Sequence, residues 1–138
     1  TSLNILFNYL FFIKKKYNTI LYKMTSFIKK FSLEKRKIEA DRILEKYPNR
    51  IPIIVQKNPG CKLPDIDKYK YLVPMDLTMC QLMFVIRKRI KLKPEESIYV
   101  FIDKKIMSGN TIVSTIYENH KSEDGFLYLV YTAESTFG

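Results

Sequence analysis

The stretch that decides the fold is "KYKYLVPMDLTMCQLMFVIRKRI", residues 68–90. Its first seven residues, Lys68 to Pro74, alternate strictly between two sides of an extended chain, which is typical of a strand with one buried side. Thr78 is then placed to cap a helix, because a threonine hydroxyl accepts a hydrogen bond from a free backbone N–H of the first turn. Apolar residues follow at intervals of three and four and predict one buried helical stripe. Its members are Met79, Leu82, Met83, Ile86 and Ile90.

The segments on either side predict three more strands and two more helices. Ser32 is a plausible cap for a helix that runs to about Lys46. Strands are predicted at "RIPIIVQK" (50–57), "SIYVFID" (97–103) and "FLYLVYT" (126–132), and a short helix at "TIVSTIYENH" (111–120). Pro52 cannot donate a ladder hydrogen bond, so it predicts an edge or irregular position. The order helix-β-β-α-β-α-β predicts an α+β fold, a ubiquitin-like β-grasp with a four-stranded mixed sheet.

Both long helices are predicted to carry apolar flanks beside their core stripes. In the leading helix the core stripe is Leu33, Ala40, Leu44 and Tyr47. Glu39 and Ile43 lie four residues apart on its flank and are placed to edge a pocket. In the central helix Leu82, Val85 and Arg89 run along a flank, so part of the apolar surface turns away from the core.

Composition indicates one basic globular domain. The 138 residues have a formal net charge of +10, which favours anionic partners such as acidic peptides, nucleic acid or anionic lipid. Residues 1–23 hold four lysines and no acid. Their apolar run, Leu3 to Ile13, is short of the roughly 20 residues needed to span a bilayer. We therefore expect the domain to comprise residues 24–138, with residues 1–23 as a non-homologous extension, disordered or not native, and Met24 as the native start.

Metal, cofactor and histidine chemistry is not expected. Cys61 and Cys80 have no metal-binding spacing, and His120 is the only histidine of the chain. The two cysteines are too few for a disulfide framework, so both are expected to be free thiols in a reducing compartment. Cys80 is interpreted as a small buried residue.

Three segments resemble the autophagy-related ubiquitin-like modifiers, the GABARAP and autophagy-related protein 8 family. They are "LEKRKIEADRILEKYPNRIPIIVQK" (33–57), "DIDKYKYLVPMDLTMCQLMFVIRKRIKL" (65–92) and "SEDGFLYLVYTAESTFG" (122–138). The resemblance runs from about Met24 to Gly138. It implies a β-grasp with two additional N-terminal helices, the first of them over residues 25–31. Together the two helices would form a helical subdomain of about residues 24–47.

The resemblance implies a chemistry for the terminal Gly138. Its carboxylate would be adenylated, passed as a thioester through an activating and a conjugating enzyme, and joined to the amine of phosphatidylethanolamine. A cysteine protease would reverse the conjugation. The chain would supply only the carboxylate, so it is not expected to be an enzyme. It would be cytoplasmic when free and on the autophagosome membrane when lipidated. Apicomplexan members that end at glycine coat the apicoplast, and the Lys/Ile/Asn/Tyr-rich composition fits such an origin.

The resemblance also implies that the chain binds cargo receptors. Short aromatic-x-x-aliphatic peptides of these receptors, called LIR motifs, would add as a strand to the sheet edge. The aromatic pocket would comprise Glu39, Ile43, Pro52, Lys70, Leu72 and Phe126. The aliphatic pocket would comprise Tyr71, Val73, Pro74, Leu77, Leu82, Val85 and Ile86. Acids flanking the motif would be met by Arg50, Lys68, Lys70 and Arg89. Leu82 and Val85 stand where many members have larger residues, which predicts a wider aliphatic pocket.

Two alternatives remain open from the residues alone. One is a β-grasp adaptor that binds peptides but is never conjugated. The other is a basic domain that binds nucleic acid through phosphate contacts. The second is disfavoured, and no nucleic acid is expected as a partner, because the basic residues are spread over several elements with no aromatic stacking platform among them. Lysines at Lys68 and Lys70 would also protect an exposed strand edge without any binding role.

Overall fold

The computed structural model describes residues 27–133. The predicted boundary at residue 24, the start of the predicted first helix and Gly138 lie outside these residues, and residues 27–30 are helical. The helices are α1 (Leu33–Lys46), α2 (Met79–Arg89) and α3 (Val113–His120). The strands are β1 (Arg50–Lys57), β2 (Lys70–Pro74), β3 (Ile98–Ile102), β4 (Lys105–Ile106) and β5 (Leu127–Ala133).

The sheet is mixed, with strand order β2-β1-β5-β3-β4. β1 and β5 pair in parallel, and the other neighbours are antiparallel. The α+β β-grasp prediction is therefore confirmed, but the predicted count of four strands is wrong. The missed strand, β4, has two residues and follows a tight turn in which Asp103 and Lys104 adopt positive φ angles. Two residues are too few to show an alternating pattern.

The sheet separates two apolar clusters. The larger cluster lies under α2 and α3 and holds Ile53, Val55 and most of the predicted α2 stripe. Of that stripe only Met83 is partly exposed, because it lies toward the side of α2 that faces away from the sheet. The smaller cluster lies under α1 and holds Ile54, since successive residues of a strand face opposite sides.

The predicted core stripe of α1 is wrong in phase. The residues buried along α1 are Arg36, Ala40 and Ile43, whereas Tyr47 is exposed and both leucines of the predicted stripe are half-buried. Arg36 can be buried because its Nη1 lies 2.7 Å from the carboxylate of Asp124, which is also buried. Arg36, Ala40 and Ile43 therefore lie on the buried side of α1, so Ile43, predicted on the flank, faces the sheet.

Pro52 lies inside β1, a strand with neighbours on both sides. The hydrogen bond from Val55 N to Tyr69 O shows that odd-numbered residues of β1 point their backbone groups toward β2. The nitrogen of Pro52 therefore points toward β5, whose pairing with β1 begins only at Ile53. The proline occupies a position where no ladder hydrogen bond is lost, so it lies locally at an edge, which is one of the two placements that the sequence predicts.

Candidate functional site

β2 is an edge strand, and part of its backbone is turned outward. It begins at Lys70, two residues later than predicted, and pairs with β1 alone among the described strands. The pairing of odd-numbered residues with β1 leaves the N–H and C=O groups of Lys70 and Leu72 facing away from the sheet. The Leu72 carbonyl oxygen accepts a hydrogen bond from Arg50 Nη1 at 2.9 Å. The edge thus offers backbone groups to an added strand.

The residues of the predicted aromatic pocket come together on the α1 face of this edge. Ile43 and Phe126 belong to the smaller apolar cluster, and Leu72 packs against them while remaining half-buried. Phe126 is fully buried, so it can only form the floor of a pocket. Pro52 lies opposite Leu72 across the β1–β2 pair. The Lys70 ammonium forms an ion pair with Glu39 of α1 at the rim.

The residues of the predicted aliphatic pocket come together on the opposite face, beside α2. Tyr71 and Val73 point into the larger cluster, and Leu77 packs against it. Pro74 at the end of β2 is exposed. Leu82 and Ile86 are each only 1% exposed, so both belong to the predicted core stripe, and Leu82 is not on the flank where it was also predicted. Val85 is 39% exposed and forms the outer rim.

The four basic side chains that were predicted to meet acids each have a contact within the chain. Besides Lys70 and Arg50, the Arg89 Nε lies 2.9 Å from Asp67 Oδ1. The Lys68 Nζ lies 5.3 Å from the centre of the Tyr71 ring. Burial raises the pKa of Tyr71, while the positive charge of Arg89 opposes this and the negative charge of Asp67 adds to it. Acidic groups of a ligand would therefore meet cations that are partly engaged.

Sequence reasoning missed two features near the site. Phe84 is 59% exposed on α2 beside Val85, with Lys88 Nζ 5.0 Å from its ring centre. The spacing of four residues between Phe84 and Lys88 is a readable signal for such a contact on a helix. The second feature is Asp67, whose pairing with Arg89 joins residues 22 positions apart and leaves no local signal in the sequence. Cys80, predicted to be buried, is exposed, because it lies on the side of α2 that faces away from the core.

Residues 27–133 contain neither a candidate metal site nor a candidate membrane-spanning helix. No group of three or more His, Cys, Asp or Glu side chains in this range could hold a metal ion. Within the same range, none of the helices combines the length and the hydropathy required to cross a membrane.

Comparison with known proteins identifies the family. The profile described as "Autophagy protein Atg8 ubiquitin like" matches residues 35–138. The Autophagy-related protein 8 of Schizosaccharomyces pombe is 58% identical over 108 residues, covering 78% of this chain and 89% of the relative. The Arabidopsis thaliana Autophagy-related protein 8d is 53% identical over 115 residues, covering 83% and 96%. The crystal structure of Trypanosoma brucei ATG8 superposes with a TM-score of 0.75 at 37% identity, covering 85% of this chain and 97% of that one. The chain belongs to the Atg8 family of ubiquitin-like autophagy proteins.

Proposed function

We propose that this autophagy modifier binds aromatic-x-x-aliphatic peptides along the β2 edge and is conjugated through Gly138 to phosphatidylethanolamine. The observation that supports the first part is the open edge of β2 with a half-buried apolar side chain beside each face, Leu72 on one and Leu77 on the other. A peptide strand would donate to and accept from the outward backbone groups of Lys70 and Leu72. The pockets would supply the sequence preference.

The spacing of the motif follows from strand geometry. Successive side chains of an extended chain face opposite sides, so residues three positions apart also face opposite sides. The proposed aromatic pocket would lie beside Lys70 and Leu72, whereas the proposed aliphatic pocket would extend past the end of β2 to Leu77. A peptide whose aromatic residue comes first would therefore run parallel to β2. Leu82 and Val85 would leave more room for its aliphatic residue than larger side chains do.

The peptide site is tested with the double variant Lys70→Glu, Leu72→Ala. It reverses one charge and removes one apolar contact of the aromatic pocket, so calorimetry should show affinity for an aromatic-x-x-aliphatic peptide falling at least tenfold. The matched control is Lys105→Glu, Ile106→Ala on β4, the opposite edge strand, where both residues are exposed. The control should bind as the wild type does. Equal affinity of both double variants, with unfolding temperatures showing both folded, would refute the peptide site.

Conjugation is supported by the family match, which extends through residue 138. A glycine with no side chain can enter narrow active-site channels, and its backbone freedom lets one tail fit several enzymes. The proposed partners are an activating enzyme, a conjugating enzyme and a deconjugating cysteine protease. The chain itself would supply a carboxylate and no catalysis. Two acyl chains would then hold it on a membrane, since each buried CH₂ contributes roughly 0.8 kcal/mol.

Conjugation is tested by incubating the full chain with ATP, the two enzymes and vesicles that contain phosphatidylethanolamine. Wild type should gain the mass of the lipid, and Gly138→Ala should gain much less. Thr136→Ala, which keeps the terminal glycine, should react as wild type does. Equal conjugation of Gly138→Ala would refute the assignment, and a chain that binds peptides but accepts no lipid would be the adaptor alternative.

The proposed location follows from the same chemistry. The free protein would be cytoplasmic, and the lipidated protein would lie on the autophagosome membrane and recruit cargo receptors there. The relatives from fungi, plants and a trypanosome are named as autophagy proteins and give no support to an apicoplast role. The proposed membrane is therefore the autophagosome.

A further inference from the structure

Two cations at the β2 edge are held by acids of the chain itself. Glu39 of α1 engages Lys70, and Asp67 engages Arg89. An acidic ligand side chain that approached Arg89 would meet an arginine already paired with a carboxylate. The chain therefore places an acid of its own where the acid of a ligand would bind.

Asp67 lies near the end of the loop between β1 and β2, residues 58–69, which is fastened to the body of the protein. Asn58 at its start is buried and donates through Nδ2 to the Thr132 hydroxyl at 3.1 Å. In the middle of the loop, the Leu63 carbonyl accepts from Lys57 Nζ at 3.1 Å. The next residue's carbonyl accepts from the Tyr131 hydroxyl at 2.8 Å. These bonds limit the freedom of the loop, so Asp67 loses little conformational entropy when it pairs with Arg89.

The Arg89–Asp67 pair lies on the aliphatic-pocket face of the edge. Arg89 and Asp67 both act electrostatically on Tyr71, whose side chain points into the larger cluster on that face. In a peptide running along β2, the residue directly after the aromatic one faces the same side as the aliphatic one. That residue is the one placed to reach Arg89.

We propose that Asp67 is an internal competitor, which holds Arg89 in the free protein and is displaced by an acidic residue placed directly after the aromatic residue of a bound peptide. This role rests on the proposed peptide function and adds a specificity-determining residue to it. Because both side chains are largely exposed, the pair contributes little to folding. It does, however, weaken every acid contact that Arg89 makes, and so it reduces the preference for acidic over neutral peptides.

The test compares two peptides that differ only at the residue after the aromatic one, aspartate in one and asparagine in the other. Calorimetry at physiological salt is carried out on wild type, Asp67→Asn and Asp65→Asn. The Asp65→Asn control removes the same charge from the same loop, where it pairs with Lys57 and not with Arg89. Asp67→Asn should raise affinity for the aspartate peptide about two- to fivefold and leave the asparagine peptide unchanged, which is the range of exposed ion pairs. Asp65→Asn should leave the ratio of the two affinities as in wild type.

The coupling between Asp67 and Arg89 is measured by introducing Arg89→Gln into wild type and into Asp67→Asn. In that background Asp67→Asn should no longer change the ratio of the two affinities, because there is no cation left to release. An unchanged ratio in Asp67→Asn, or the same change in Asp65→Asn, would overturn the role of Asp67 while leaving peptide binding intact. If neither peptide binds any folded variant, the proposed function fails, and the role of Asp67 fails with it.

Discussion

At the scale of single residues, the buried carboxylate of Asp124 accepts hydrogen bonds from three donors. Its carboxylate accepts from Arg36 Nη1 at 2.7 Å, from the backbone N–H of Phe126 at 2.8 Å, and from the Tyr128 hydroxyl. Asp124 and Arg36 are both buried. The charges are tolerated there because each is paired and the carboxylate has several donors. The network fastens α1 to the start of β5, and so it would hold one wall of the proposed aromatic pocket in place.

Replacing Asp124 with alanine should therefore destabilise the protein strongly. The change would leave the Arg36 guanidinium buried without its counter-charge, and breaking such a pair costs about 3–5 kcal/mol. Glu123→Ala is the control, because Glu123 is exposed and lies 3.9 Å from the exposed Lys37. It should cost less than about 1 kcal/mol. Urea unfolding followed by circular dichroism measures both, and similar losses would contradict the assigned importance of the buried pair.

The sequence predicts some of these residues and not others, for a physical reason. Helical spacing predicts that Glu39 and Ile43 are neighbours, because residues four apart lie on one side of a helix, but Ile43 is buried against the sheet and not on a flank. The burial of Arg36 was missed, because its partner is 88 residues away along the chain. Local periodicity carries no information on such a pair. An arginine in a helical pattern is taken as exposed unless its partner is known.

At the scale of elements, α2 carries a complete capping box. The Thr78 hydroxyl accepts from Gln81 N at 3.2 Å, and the Gln81 side chain accepts from Thr78 N at 2.9 Å. Thr78→Ala should lower the free energy of unfolding by about 1 kcal/mol, since it removes the acceptor for a first-turn N–H. Thr78→Ser keeps the hydroxyl and should lose less. Thermal unfolding of the two variants decides this, and an equal loss would show that the methyl group matters and the cap does not.

The elements that the sequence predicted are those with enough residues to show a period. α2 was predicted from its first residue because cap and apolar stripe agree. β4 was missed because it has two residues, and its position depends on the turn after β3. The face of α1 was misplaced because the apolar residues Leu33 and Leu44 outweighed Arg36 in the pattern. Where a long-range ion pair and the hydrophobic period imply different buried sides of a helix, the sequence alone predicts the side that the period gives.

At the scale of the whole molecule, stability depends on β5, the strand between β1 and β3. All seven of its residues are buried, and it contributes to the apolar clusters on both faces of the sheet. It also buries Tyr128 and Tyr131, whose hydroxyls donate to Asp124 and to the Pro64 carbonyl. These bonds connect the sheet to α1 on one face and to the loop before β2 on the other. The protonation of two phenols is thereby coupled to the packing of both layers.

This coupling predicts a loss of stability at alkaline pH. Burial, more than any charge, raises the pKa of Tyr128 and of Tyr131 above the ordinary value of 10.0. The folded state therefore holds both protons at a pH where the unfolded chain releases them. Below about pH 10 this stabilisation is fully present, and above it the free energy of unfolding should fall by about 1.4 kcal/mol per pH unit for each tyrosine. Urea titrations between pH 9 and pH 11.5 measure the slope.

Tyr128→Phe should be less stable than wild type at neutral pH. Above pH 10 its free energy of unfolding should fall less steeply, because one of the two titrating phenols is absent. A slope identical to that of wild type would show that folding does not keep the Tyr128 phenol protonated.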